Sequence, residues 1–329
     1  MSQLTEYSTT YKPFHYPEFV NHAIEHESLF WMEYEASLQR DVNQWKDGTI
    51  TPVEKNHITQ ILRLFTQSDQ IVGGSYVDVF LPYFKNNEAR MALLSIANRE
   101  STHMRAYALL NDTLGLPETE YRAFLEYEEM ADKAEFMQDF VVDPYLGASA
   151  ITPKQMGINL ARTVMNEGMS LFSAFVQLLN YQRPEAGSKM LGMCEIVEWS
   201  IRDETKHVEI MAALFRRHCE EHPEIVTDDF KRAIYEMFRQ GVALEDRFID
   251  LSFALGGPKA LTPEEVKQYI RFIADRRLVQ LGLKPNWGIE KNPLPWVDHI
   301  VSGDNQKNFF EGRVTDYNHK GMEGDWGWE

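Results

Sequence analysis

Cysteine is almost missing from this chain: Cys194 and Cys219 are the only two in 329 residues, and they stand at no metal-like spacing. That excludes a disulfide framework and a zinc-thiolate site, and it fits a reducing cytoplasm. Basic residues are also in short supply, 33 Lys and Arg against 50 Asp and Glu, for a formal charge of −17. Phosphate backbones are held by clustered cations, so nucleic acid is not an expected partner. No apolar run approaches the ~18 residues of a membrane-crossing helix. The opening MSQLTEYSTTYKPFHYPEF lacks the charged and apolar regions of a secretory signal. The expectation is a cytoplasmic protein without a membrane partner. Strand-like alternation is scarce as well, and helical spacing takes its place.

Helix starts recur in one form. Thr51-Pro52-Val53-Glu54 and Thr262-Pro263-Glu264-Glu265 each supply a capping Thr, a Pro at the first helical position and a Glu at the third. Thr152-Pro153-Lys154-Gln155 repeats the signal with Gln. The spacing predicts an all-α chain with helices near 18–46, 52–84, 87–113, 153–181, 185–220, 227–255 and 263–281. Beyond 283 prolines, glycines and aromatics replace the periodic pattern. Residues 1–290 are therefore expected to form one helical domain and 291–329 a flexible C-terminal tail.

Carboxylates stand where apolar side chains are expected. Ile58, Leu62, Phe65, Asp69, Val72, Tyr76 and Val79 recur at steps of three or four and so share one helical face. Glu100 and His103 interrupt a second stripe that ends in Tyr107 and Leu110. Glu167 interrupts a third, and Glu204 and His207 a fourth that also holds Ser200. Burying one unpaired carboxylate costs several kcal/mol, so four cannot face a core without compensation. Two divalent cations cancel their charge, and each Glu-x-x-His pair aims both side chains at one ion. Oxygen-rich ligation with one His per metal suits iron or manganese better than zinc. Glu-x-x-His alone is a weak signal. A third copy, Glu54 to His57, lies in a first turn where Glu54 completes a capping box, and is assigned a structural role.

With FWMEYEASLQRD (30–41), FTQSD (65–69), RESTHMRAY (99–107), MNEG (165–168) and IRDETKH (201–207), the chain resembles the small, radical-generating subunit of class I ribonucleotide reductase. The resemblance implies a ferritin-like helical bundle, a homodimer, and a dimetal site of two irons, with dimanganese or a mixed manganese–iron pair on the same ligands. It assigns Asp69, Glu100 and His103 to one metal and Glu167, Glu204 and His207 to the other. It makes Tyr107 the radical residue after reaction with oxygen and an electron donor. Trp31, Asp203 and Tyr317 would pass the oxidising equivalent to the large subunit, and the end of the tail around Trp326 and Trp328 would dock there. The same fold can also carry a dimetal oxygenase or oxidase, or an iron-storage protein. The first would have an apolar substrate channel and no need of Tyr107; the second would form a hollow assembly and need no aromatic tail.

Overall fold

The computed structural model describes residues 3–142 and 147–301. Among them the chain is helical and holds no β-strand element. The main helices are α1 (Pro17–Ser28), α2 (Gln39–Asp47), α3 (Pro52–Ser75), α4 (Asn87–Leu114), α5 (Glu128–Gln138), α6 (Pro153–Met165), α7 (Phe172–Leu179), α8 (Leu191–Glu221), α9 (Asp228–Ser252), α10 (Pro263–Gln280) and α11 (Pro295–Val301). Two stretches of π-helix interrupt them: Tyr76–Phe80 extends α3, and Asn166–Ser170 joins α6 to α7.

The three Thr-Pro starts are capping boxes as expected, at Thr51, Thr152 and Thr262. Gly48 and Gly115 end α2 and α4 at φ of 87° and 77°, the left-handed region that glycine enters without a Cβ clash. α8 has no such local cap. Asp41 of α2 serves instead, accepting from Gly192 N at 3.2 Å and Met193 N at 2.7 Å. An added Cβ at Gly192 would lie 2.4 Å from the Ser37 carbonyl oxygen, so glycine is what lets this junction close.

α3, α4, α6 with its π continuation, and α8 form the central bundle. α1 lies on α4, α5 packs against α3 and α9, and α10 crosses α9 and the π segment at 166–170. Two expectations need correction. The single helix near 18–46 is two helices, because the chain turns inward after Ser28. Arg99 and Arg202 donate to the Leu29 carbonyl at 3.2 and 3.4 Å, and Trp31 is buried beyond it. The helix expected from 185 starts at Leu191, after a 3-10 turn at Pro184–Ala186. Helix α5 was not expected at all. Past residue 291, Leu294 and Val297 are buried in the core.

Candidate metal centre

α3 supplies Asp69, α4 supplies Glu100, His103 and Tyr107, the π segment supplies Glu167, and α8 supplies Asp203, Glu204 and His207. None of these side chains is more than 1% exposed. One ligand atom from each of Glu100, Glu167, Glu204 and His207 lies within 4.8 Å of the others, and the same holds for Asp69, Glu100 and His103. The structure thus brings all six expected residues together, with Glu100 common to both groups. Helix phase explains the convergence: i, i+3 spacing stacks each Glu–His pair on one face. Glu167 arrives differently, from a π turn. Such turns insert one residue and re-aim the side chains they carry.

Both histidines present Nδ1 to the carboxylates. His103 Nδ1 is 3.1 Å from Glu204 Oε1 and 3.7 Å from Glu100 Oε2. His207 Nδ1 is 3.1 Å from Glu100 Oε1, 3.2 Å from Glu204 Oε2 and 3.6 Å from Glu167 Oε2. Burial raises the carboxyls of Asp69 and Glu167 well above their ordinary range. Burial works to lower His207, but Glu204 and Glu100 outweigh it and push the ring up to about 10.

Those groups also fit a metal pair by their unmet bonding. Both oxygens of Asp69 and of Glu100, Glu167 Oε2, Glu204 Oε1 and His103 Nδ1 are buried with no partner of hydrogen-bonding geometry. Orphaned buried acceptors are costly, and here they converge from four chain segments. The donor set, four carboxylates and two imidazoles, is one that takes hard or borderline divalent ions.

Outside this cluster a chain of hydrogen bonds leads away. Asp203 Oδ2 accepts from Trp31 Nε1 at 2.7 Å and lies 3.1 Å from His103 Nε2. The indole and imidazole rings stack 5.8 Å apart. Trp31 and Asp203 are thus beside the cluster as expected. Tyr107 is fully buried, donates to Ser200 Oγ at 3.0 Å, and meets the Phe65 ring edge-on at 4.4 Å. Tyr317, Trp326 and Trp328 lie outside the described residues.

Sequence reasoning gave no role to four neighbours. Tyr76 donates its hydroxyl to Glu167 Oε1. Its place on the Asp69 stripe was the available signal. His26 Nε2 lies 3.1 Å from His207 Nε2, and its Nδ1 lies 3.1 Å from Ser95 Oγ. Arg99 Nη1 lies 3.4 Å from Asp203 Oδ2, and the Trp199 ring 5.0 Å from Trp31. These three carried no spacing signal.

Fold and site define a ferritin-like bundle built around a paired carboxylate–histidine cluster. The family model for the ribonucleotide reductase small chain matches residues 8–293, and the chain belongs to that family. It is 36% identical over 338 residues to a probable ribonucleoside-diphosphate reductase small subunit of Invertebrate iridescent virus 3, covering 97% of this chain and 87% of the relative. The solved R2 subunit of a Clostridium botulinum ribonucleotide reductase superposes with a TM-score of 0.76 at 21% identity, covering 87% of this chain and 88% of that one. The dimanganese(II) NrdF of Streptococcus sanguinis does so at 0.75 and 20% identity, covering 90% of this chain and 99% of its own. Membership in class I follows, and with it work alongside a large subunit. Among the described residues no helix is long and apolar enough to cross a membrane.

Proposed function

We propose that Asp69, Glu100, His103, Glu167, Glu204 and His207 hold two metal ions, with Glu100 serving both, and that Tyr107 is the residue oxidised there. The carrying observation is the convergence of four buried carboxylates, most of whose oxygens lack a hydrogen-bonding partner, on two facing imidazoles. When bound, a reduced metal pair would supply two electrons to dioxygen and an external donor a third, leaving an oxidant strong enough to take the fourth from a phenol. The protein does the rest. Phe65 and burial exclude water from Tyr107, and Ser200 fixes the direction of its hydroxyl. Asp203 holds His103 in one tautomer, with Nε2 outward and Nδ1 toward the cluster. The same carboxylate ties that ring to Trp31, so an electron and a proton have a bonded route toward the surface.

Iron is our assignment for both ions; the manganese pair named for the Streptococcus relative is the alternative on the same ligands. The chain works as a cytoplasmic homodimer. Tyr317 continues the route, and the segment around Trp326 and Trp328 docks on the large subunit. Metal analysis with electron paramagnetic resonance on oxygen-treated protein tests this. Two ions per chain and a tyrosyl signal lost in Tyr107→Phe support it. Fully loaded protein without any tyrosyl signal would count against it.

A further inference from the structure

The five-residue π segment that carries Glu167 is gripped from outside by two buried cations. Lys133 of α5 donates to the Ser170 carbonyl at 2.7 Å, and Arg277 of α10 donates through Nε to the Gly168 carbonyl at 2.8 Å. Asn166, the first residue of the segment, donates to the Met137 carbonyl at the end of α5 at 3.0 Å. Each cation is itself fixed. Lys133 pairs with Glu245 Oε1 at 2.7 Å and sits 4.3 Å over the Phe248 ring, while Ser173 donates to the second oxygen of Glu245. Arg277 lies 5.0 Å over Phe172 and donates to Gln280 at 3.0 Å. Gly168 is the residue that permits the approach, since a Cβ there would stand 2.5 Å from Arg277 Nε.

A π turn spreads its carbonyls away from the straight α-helical ladder, and every buried carbonyl needs a donor. Ordinary α-helix at these positions would need neither cation, and putting two of them in the core is unfavourable unless they bond well. We propose that Lys133 and Arg277 are positioning residues for Glu167: they hold the π register that points this carboxylate at Glu100, Glu204 and His207. The proposal rests on the reading of Glu167 as a ligand, and neither cation touches the cluster.

The test uses the full chain, with manganese(II) as the probe, read by the resonance of the free ion. Lys133→Met with Glu245→Gln removes the ion pair as a unit, so no charge is stranded. Arg277→Gln removes the other grip. Lys189→Met with Glu54→Gln is the control, because it removes another Lys–Glu pair (2.9 Å) that does not touch the segment. The control is expected to bind two ions as the unaltered chain does. Each grip variant should bind one ion normally and the second about 10–100-fold more weakly, the usual effect of losing support behind a ligand. Amide hydrogens of residues 166–171 should exchange at least about tenfold faster in the same variants, without metal. Folded grip variants with both affinities and these exchange rates unchanged would overturn the proposal. If the Lys133 double variant does not fold, Arg277→Gln carries the test alone. If the unaltered chain takes up no manganese, the ligand reading fails, and hydrogen exchange alone decides the grip.

Discussion

Asp203 meets three partners through one oxygen: Trp31 Nε1 at 2.7 Å, His103 Nε2 at 3.1 Å and, as an ion pair, Arg99 at 3.4 Å. Burial works to raise its pKa, but the His103 bond and the charges of His103 and Arg99 outweigh it, so the carboxylate stays ionised. An amide could still place its oxygen at that position, but it would bring no negative charge to face His103 and Arg99. Asp203→Asn is therefore expected to lower turnover with the large subunit about 10–100-fold while two metals remain bound. Asp203→Glu keeps the charge and should recover part of the loss. Metal analysis beside steady-state turnover checks both. The His57 ring shows the opposite use of a buried histidine. It is packed against Tyr181 and Phe253, lies 3.1 Å from Gln177 Oε1, and burial takes its pKa down to about 4. Between that value and the ordinary 6.5 the unfolded chain binds more protons than the folded one. Stability is thus full above pH 6.5 and falls toward pH 4, by about 1.4 kcal/mol per unit. His218, lowered to about 4 by burial, adds a parallel loss. Denaturant melts across this window should fall less steeply for His57→Gln than for the unaltered chain. Its metal content should not change, because the Glu54–His57 pair is structural.

At the scale of elements, the π segment separates two glycines that look alike in sequence. A Cβ on Gly168 would meet Arg277 Nε at 2.5 Å and Val208 at 2.9 Å, and the guanidinium is held by its own bonds. A Cβ on Gly241 would meet Met169 Cε at 2.8 Å and Met165 Sδ at 2.9 Å, the far ends of flexible side chains. Gly168→Ala is expected to cost about 1–3 kcal/mol and to weaken metal binding at Glu167; Gly241→Ala should leave that binding intact. Thermal melts and metal titration of the two variants distinguish them. This segment also marks the limit of what could be read. Stripes with steps of three and four exposed Asp69, Glu100 and Glu204, because the i, i+3, i+4 pattern is set locally. A one-residue insertion into the helix is invisible to that pattern, so Glu167 was found without its geometry. α5 escaped because its buried face reads Met130, Lys133, Ala134, Met137, and a lysine ordinarily marks solvent. The break between α1 and α2 escaped because Leu29, Phe30, Trp31 and Met32 continue an apolar run without Gly or Pro; the donors that satisfy the freed Leu29 carbonyl are Arg99 and Arg202, distant in sequence.

For the whole molecule the question is how a buried oxidant can act on a separate subunit. Tyr107 and Trp31 are 0% and 3% exposed, so on the proposed reading no substrate reaches them directly and the oxidising equivalent would leave through the chain. Trp31 is the last residue assigned to that proposed route among the described residues. Its ring lies 5.0 Å from Trp199, which is partly buried, so an aromatic path leads toward the surface on that side. Two functions are then assigned to the last residues, contact and relay, and two variants separate them. Removing residues 317–329 should abolish turnover with the large subunit and also abolish complex formation. Tyr317→Phe should abolish turnover alone, because a phenyl ring keeps the shape of the contact but cannot be oxidised reversibly. In both, two metals per chain and the Tyr107 signal should persist, since all six proposed ligands and Tyr107 lie among the described residues. Co-sedimentation with the large subunit, turnover and paramagnetic resonance on one preparation read the three quantities together. A Tyr317→Phe chain that still turns over would place the relay at another residue and leave the docking role standing. A truncated chain that still binds would remove the docking role instead.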